Sequence, residues 1–349
     1  MNSRDRGPRR LRTALSQKIE RLVDRATAHR TEPLRTELVR LHQRISDLQD
    51  MANGSLDTIY KEVAQLHDRV RVLQESNTGS QQEINWEIAA LGVQLAKLRN
   101  VAAAIFDDIP ALRRDLLAAR DTPEYERALN DPEPLVTVRI PTYVRSKLLV
   151  ERALPSVVGQ TYQNFEVIVV GDGCTNDTAE RVDEFGDPRV RFYNLPFRYP
   201  YPTDPEHCWL VAGGPGANVG AELANGSWLA SLGDDDEFEP HHLECLLEHA
   251  RSTRSEMVYG NLLVRRPAPA CDQVLACHPP ELGRYNCNTS IYMRALRCFE
   301  FSARSWVIDE PSDWNLCRRM VEAGVRIGHV DRVVTIHYPS HDWEPETFH

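Results

Sequence analysis

The residues best suited to chemistry are carboxylates and a histidine placed at the ends of apolar runs. Trp228 to Leu232 leads into Gly233 and then Asp234, Asp235 and Asp236. A buried strand that stops in carboxylates sets them at the C-terminal edge of a sheet, where open α/β folds bind ligands. Adjacent carboxylates repel one another, and a divalent cation offsets that charge. Oxygen donors suit Mg²⁺ or Mn²⁺, ions commonly shared with substrate phosphates. The alternative is a solvated acidic turn ahead of a helix. Phe165 to Val170 ends in the same way, at Gly171-Asp172-Gly173. Asp172 could accept from a base N–H or a ribose hydroxyl, or it could serve the turn, with Asn176 capping the next helix. The polar loop Pro141-Thr142-Tyr143-Val144-Arg145 follows the first strand and suits a nucleotide. Neither a G-x-G-x-x-G nor a Walker A pattern accompanies it, so dinucleotide and P-loop chemistry have no support. Asp313 falls in the first turn of a helix begun by Pro311 and Ser312, where the dipole favours its ionised form, as a capping acid or a base. His337 closes the run Val333 to Ile336, as a ligand or an ordinary packed histidine, with His341 the weaker competitor.

Alternating strands and helices must position these groups. Strands are expected at Leu135 to Ile140, Phe165 to Val170, Arg189 to Tyr193, Ser227 to Leu232, Met257 to Asn261 and Arg332 to His337. Helices are expected at Ser146 to Val158, Asp177 to Phe185, Ala217 to Asn225, His241 to Ser252 and Pro311 to Ala323. Repeated β-α-β units predict a Rossmann-like, mostly parallel sheet with helices on both faces, an α/β fold over residues 131–349.

Residues 1–130 follow a different pattern. Leu38, Leu41, Ile45 and Leu48 step by three and four, as do Ile59, Val63, Leu66, Val70 and Leu73, and Ile84, Ile88, Leu91, Leu95 and Leu98. This is a coiled-coil seam, broken at Asn53-Gly54-Ser55 and Asn77 to Ser80. So narrow a stripe buries too little alone, which predicts a homo-oligomer or docking onto a partner. Asp131-Pro132-Glu133-Pro134 closes the helical part.

A net charge of −10 over 349 residues argues against nucleic acid as the partner. No apolar run is long enough for a transmembrane segment, and the N-terminus lacks a signal-peptide core. The eight cysteines all lie beyond residue 170. Cys271, Cys277-His278 and Cys287 lack paired zinc spacing, and reduced thiols fit a cytoplasmic protein. The arm with Arg4, Arg6, Arg9, Arg10 and Arg12 allows a peripheral place at the inner face of a membrane, although a solvated tail is the plainer expectation.

In order, VTVRIPTYVR, LPSVVGQTYQNFEVIVVGDGCTNDT and GANVGAELANGSWLASLGDDDEF resemble the family 2 glycosyltransferases, an inverting group with a GT-A fold. The resemblance covers about residues 135–340. It implies that Pro141, Thr142, Tyr143, Arg145, Asp172, Asn218 and Asp234 bind the nucleotide-sugar donor. Asp235 and Asp236 would hold Mg²⁺ or Mn²⁺ on the diphosphate, with His337 a further metal ligand. Asp313 matches the catalytic base that activates an acceptor hydroxyl, and Glu310 is the fallback. Such enzymes act on glycan, lipid-linked or small-molecule acceptors. Trp209, Trp306 and Trp314 could stack on a sugar, though packing is the commoner fate of tryptophan. There are two departures. Gly233 stands where the family often has Asp, which leaves open which of Asp234, Asp235 and Asp236 ligates the metal. Ala217 stands where an Arg commonly precedes the Asn, leaving Arg139 or Arg145 to supply that charge. A nucleotidyltransferase and an inactive coiled-coil scaffold are the alternatives. The stretch between Asn261 and Trp306 is expected to shape the acceptor site.

Overall fold

The computed structural model describes residues 109–266 and 269–339. The heptad seams, the arginine arm and His341 lie outside the described residues. The described chain opens with α1 (Ile109–Arg120) and α2 (Pro123–Asn130). Thr122 caps α2 by accepting from the Tyr125 N–H, and Pro123 takes a first-turn position where no N–H is needed. Both helices join the main core through Leu112, Leu116, Tyr125, Ala128 and Leu129. The compact unit thus starts at Ile109, on the N-terminal side of the Pro132/Pro134 break.

Two contacts fasten these helices. The buried Trp228 indole donates to the Ala128 carbonyl at 2.9 Å. Glu256, fully buried, accepts from Arg120 Nε and Nη2 at 2.6 and 2.8 Å, from the Tyr125 hydroxyl at 2.5 Å and from the Arg326 N–H at 2.7 Å. Burial alone would raise its pKa, but these bonds outweigh it and hold the carboxyl below its ordinary value.

A nine-stranded sheet follows. Its first half is parallel, in the order β3 (Val190–Asn194), β2 (Phe165–Gly171), β1 (Val136–Thr142) and β4 (Trp228–Ser231). β2 is apolar without alternation because both its faces are covered. The second half is mixed. β8 (Ser290–Met293) runs antiparallel to β4 and to β6 (Met257–Val264), while β9 (Ile327–His337) is parallel to β6. β5 (Glu237–Phe238) closes the far edge against β9, and β7 (Gln273–Leu275) hangs on β6. The α/β sheet is as expected, and its continuous parallel run, β3-β2-β1-β4, includes the strands that lead into Thr142, Asp172 and the acidic triplet, while β6 and β9 form a separate parallel pair. β9 begins five residues earlier than the sequence suggests, because its pairing with β6 shifts register around Gly260 and Asn261 and hides the strand pattern.

The remaining helices are α3 (residues 146–158), α4 (Thr178–Phe185), α5 (Pro205–Val211), α6 (Gly214–Glu222), α7 (His242–Thr253) and α8 (Ser312–Ala323). α3 is not regular. A π-turn at Leu149–Ala153 separates Ser146–Leu148 from Leu154–Val158. Pro155 has no N–H for the carbonyl four residues back, and the Leu154 N–H reaches Leu149 instead. Asp177, rather than Asn176, occupies the N-cap position of α4. Its carboxylate is taken by the Ser146 hydroxyl and Arg181, so it ties α3 to α4. α6 lies over β1, with Gly216 against Pro141 and Gly220 against the stem of Arg139. Among the described residues, no helix is long and apolar enough to cross a membrane.

Candidate active site

The aspartates that follow β4 point to three different partners. Asp234 accepts from the Thr142 hydroxyl at 2.7 Å. Asp235 pairs with Arg145 at 2.5 Å, and its carbonyl accepts from Arg152 at 2.7 Å. Asp236 accepts from the Asn288 amide at 2.7 Å and the Tyr338 N–H at 3.1 Å, and lies 2.9 Å from His337 Nδ1. Burial and the neighbouring Asp235 raise Asp234 to about 7. Burial and Asp236 raise Asp235, with Arg145 pulling back. His337 is also raised: burial opposes its charge, but Asp236 outweighs that. Two adjacent carboxylates raised by burial and by neighbouring charge describe a site that added positive charge would favour.

That shortage tests whether a divalent ion fits. Asp236 and His337 present an oxygen and a nitrogen donor side by side. No three His, Cys, Asp or Glu side chains converge among the described residues. Two protein donors suit an ion whose other positions are filled by diphosphate oxygens and water. Gly233 is small for a local reason. A Cβ there would stand 3.2 Å from Asp235 Oδ1 and 3.3 Å from Asp236 Oδ2, so a further acid would crowd both.

Asp172, at the end of β2, is buried and accepts from the Tyr199 N–H at 2.9 Å and from the Tyr201 hydroxyl. A Cβ on Gly173 would overlap the backbone at Phe197 and Arg198, so only glycine lets the loop after β3 cross here. That loop places the Arg198 guanidinium 4.1 Å from the centre of the Tyr143 ring.

Asp313 lies in the first turn of α8, where its carboxylate accepts from the Trp314 N–H at 2.7 Å and the Cys287 N–H at 3.4 Å. Burial raises it, and these N–H bonds offset that only partly. Glu310 has a different role. Arg318 grips both its oxygens at 2.8 Å and Asn315 donates at 2.9 Å, so its carboxylate is committed to α8. The short turn Cys287–Thr289 joins the two acidic centres, since Cys287 bonds to Asp313 and Asn288 to Asp236.

Several expected residues face elsewhere. Both ends of the Asn218 amide are bonded to the Phe301 backbone, at 2.9 and 2.8 Å. Arg139 is 1% exposed, bonded to the Ala217 carbonyl and Ser231 and flanked by the Tyr292 and Phe301 rings. Arg145 lies at the site but is paired with Asp235 and Asp234. Trp314 packs against the core, Trp306 lies 4.8 Å from His207, and Trp209 is exposed. Sequence reasoning missed Asn288, Arg152, Tyr199 and Arg198. The expectation that residues 261–306 shape the site is the nearest signal, and it pointed to Asn288's neighbourhood without naming it.

Residues 137–201 match the model of the family described as Glycosyl transferase family 2. Glycosyltransferase GlyG of Streptococcus pneumoniae serotype 4 is 31% identical over 130 residues, which are 36% of this chain and 38% of that protein. The hyaluronan synthase of Pasteurella multocida is 25% identical over 252 residues, 67% of this chain and 23% of that one. The chain therefore spans well under half the length of these relatives. The crystal structure of S. aureus TarS 1-349 in complex with UDP is similar at a TM-score of 0.47 and 18% identity, covering 61% of this chain and 62% of that one. The family match thus falls on the segment that holds β1, β2 and Asp172, and there the chain is similar to the family 2 glycosyltransferases.

Proposed function

We propose that the protein transfers a sugar from a nucleoside-diphosphate donor to an acceptor hydroxyl by a single inverting displacement. The observation that carries this is the Cys287–Asn288 turn, which bonds to a candidate base on one side and a candidate metal ligand on the other. The nucleotide lies at the ends of β1 and β2, against Pro141, Thr142, Tyr143 and Asp172. Thr142 orients Asp234 toward it, and Arg145 is placed to exchange Asp235 for a diphosphate oxygen. Asp236 and His337 would hold Mg²⁺ or Mn²⁺, which would supply positive charge for the leaving nucleoside diphosphate. Asp313 takes the proton from the acceptor hydroxyl as that oxygen attacks the anomeric carbon from the opposite side.

Asp236→Asn is expected to weaken Mn²⁺ binding by at least about tenfold, since even the outer partners that orient metal ligands carry effects of roughly 10–100-fold. Donor hydrolysis should lose its metal dependence in the same variant. Titration of Mn²⁺ in the presence of nucleoside diphosphate checks this, and wild-type affinity in the variant would remove Asp236 from the metal site.

A further inference from the structure

One side chain ties the acidic turn to the chain beyond β9. Arg152 lies in the π-turn of α3, a kind of turn found frequently at functional sites. Its Nη1 donates to the Asp235 carbonyl at 2.7 Å, and its guanidinium lies 3.9 Å from the centre of the Tyr338 ring. Its Nε stands 4.0 Å from Glu237, the carboxylate that accepts from the Tyr338 hydroxyl at 2.9 Å. Three segments far apart in the sequence therefore meet at this guanidinium. The helix that carries it is itself pinned to the same turn. The Ser156 hydroxyl accepts from the Phe238 N–H at 3.1 Å, and the Gln160 amide donates to the Glu239 carbonyl at 2.8 Å.

Arg152 holds the neighbours of both candidate metal donors. Asp236 follows the carbonyl that Arg152 grips, and Tyr338 follows His337. Tyr338 closes the circle: its N–H donates to Asp236 Oδ1 at 3.1 Å, and the same oxygen lies 2.9 Å from His337 Nδ1. Resting on the metal reading above, we propose that Arg152 is a positioning residue that clamps Tyr338 over the acidic turn and so sets Asp236 and His337 side by side for the ion. A guanidinium suits this task because its flat face takes the ring while its in-plane N–H takes the carbonyl. Arg145 and Arg152 then divide Asp235 between them, one holding its carboxylate and the other its backbone.

The test is titration of the full chain with Mn²⁺ alone, following the free ion by electron paramagnetic resonance, with thermal unfolding of the metal-free proteins to verify the fold. Arg152→Met and Tyr338→Leu are each expected to weaken Mn²⁺ binding about tenfold, the lower end of the effects of outer partners that orient metal ligands. The double variant should bind within about threefold of the weaker single variant, because both changes break one stack. Tyr338→Phe keeps the ring and should lose less than about threefold, since only the hydroxyl contact goes. A cation beside a metal site opposes the ion's charge, so a purely electrostatic role for Arg152 predicts tighter binding in Arg152→Met. Tighter or unchanged binding there, or losses that multiply in the double variant, would overturn the proposal. Should Arg152→Met not fold, the tyrosine pair decides, and equal affinities in Tyr338→Leu and Tyr338→Phe would overturn it. A wild type that binds Mn²⁺ no tighter than Asp236→Asn does would sink the metal reading itself.

Discussion

Asp313→Asn is expected to lower the turnover of donor by about 10²–10⁴-fold, the usual contribution of a positioned general base. Loss of the base should appear in kcat, because Asp313 is not among the residues placed on the nucleotide. Donor hydrolysis, in which water stands in for the acceptor, is a sufficient assay. The variant should fold at least as well as the wild type. Burial raises the Asp313 pKa, so keeping it ionised costs stability once the pH rises through its folded pKa, and Asn removes that cost. The same shift sets the pH profile. A base works deprotonated, so wild-type activity should fall on acidification at a higher pH than an ordinary aspartate would give, and the variant should lose the part of that limb due to Asp313 while keeping any part due to Asp234 and Asp235. Glu310→Gln separates the two candidates. Glu310 is gripped by Arg318 and Asn315, so its loss should lower the melting temperature and spare the acid limb. Wild-type turnover in Asp313→Asn would place the base elsewhere.

The second large effect is structural. Glu256→Ala is expected to cost about 3 kcal/mol, because it removes a fully buried carboxylate that satisfies Arg120, Tyr125 and the Arg326 N–H together. For a domain of this size that corresponds to a fall of roughly 6–12 °C in the melting temperature. The sign with pH follows from the lowered pKa. The stabilisation is present above the ordinary glutamate range and is lost as pH falls through the lower folded value, so wild type and variant should converge in acid. Thermal unfolding at neutral and acidic pH measures both. A variant that melts with the wild type at neutral pH would show that α1 and α2 do not depend on this contact.

The parts of the site that stand at strand ends were legible in the sequence. Asp172 and the triplet announce themselves because an apolar run stops in a carboxylate, and Asp313 because Pro311 and Ser312 mark a helix start. Asn288 gave no such sign. It sits in a loop without periodicity and acquires its role only when the chain folds back onto Asp236. Asn218 shows the reverse case: it lies within a recognisable motif, yet its amide is spent on the Phe301 backbone. In the fold, Pro155 inside an otherwise helical pattern was a readable warning of the π-turn in α3. The early start of β9 was not readable, since its polar middle belongs to an irregular stretch of pairing.

The measurement that bears most directly on the central claim is product analysis after incubating the full chain with a panel of nucleotide-sugars and Mg²⁺ or Mn²⁺. Free nucleoside diphosphate, released only with metal and not by Asp236→Asn, is the expected result. Release of pyrophosphate, or of nucleoside diphosphate at equal rates with and without metal, would contradict it.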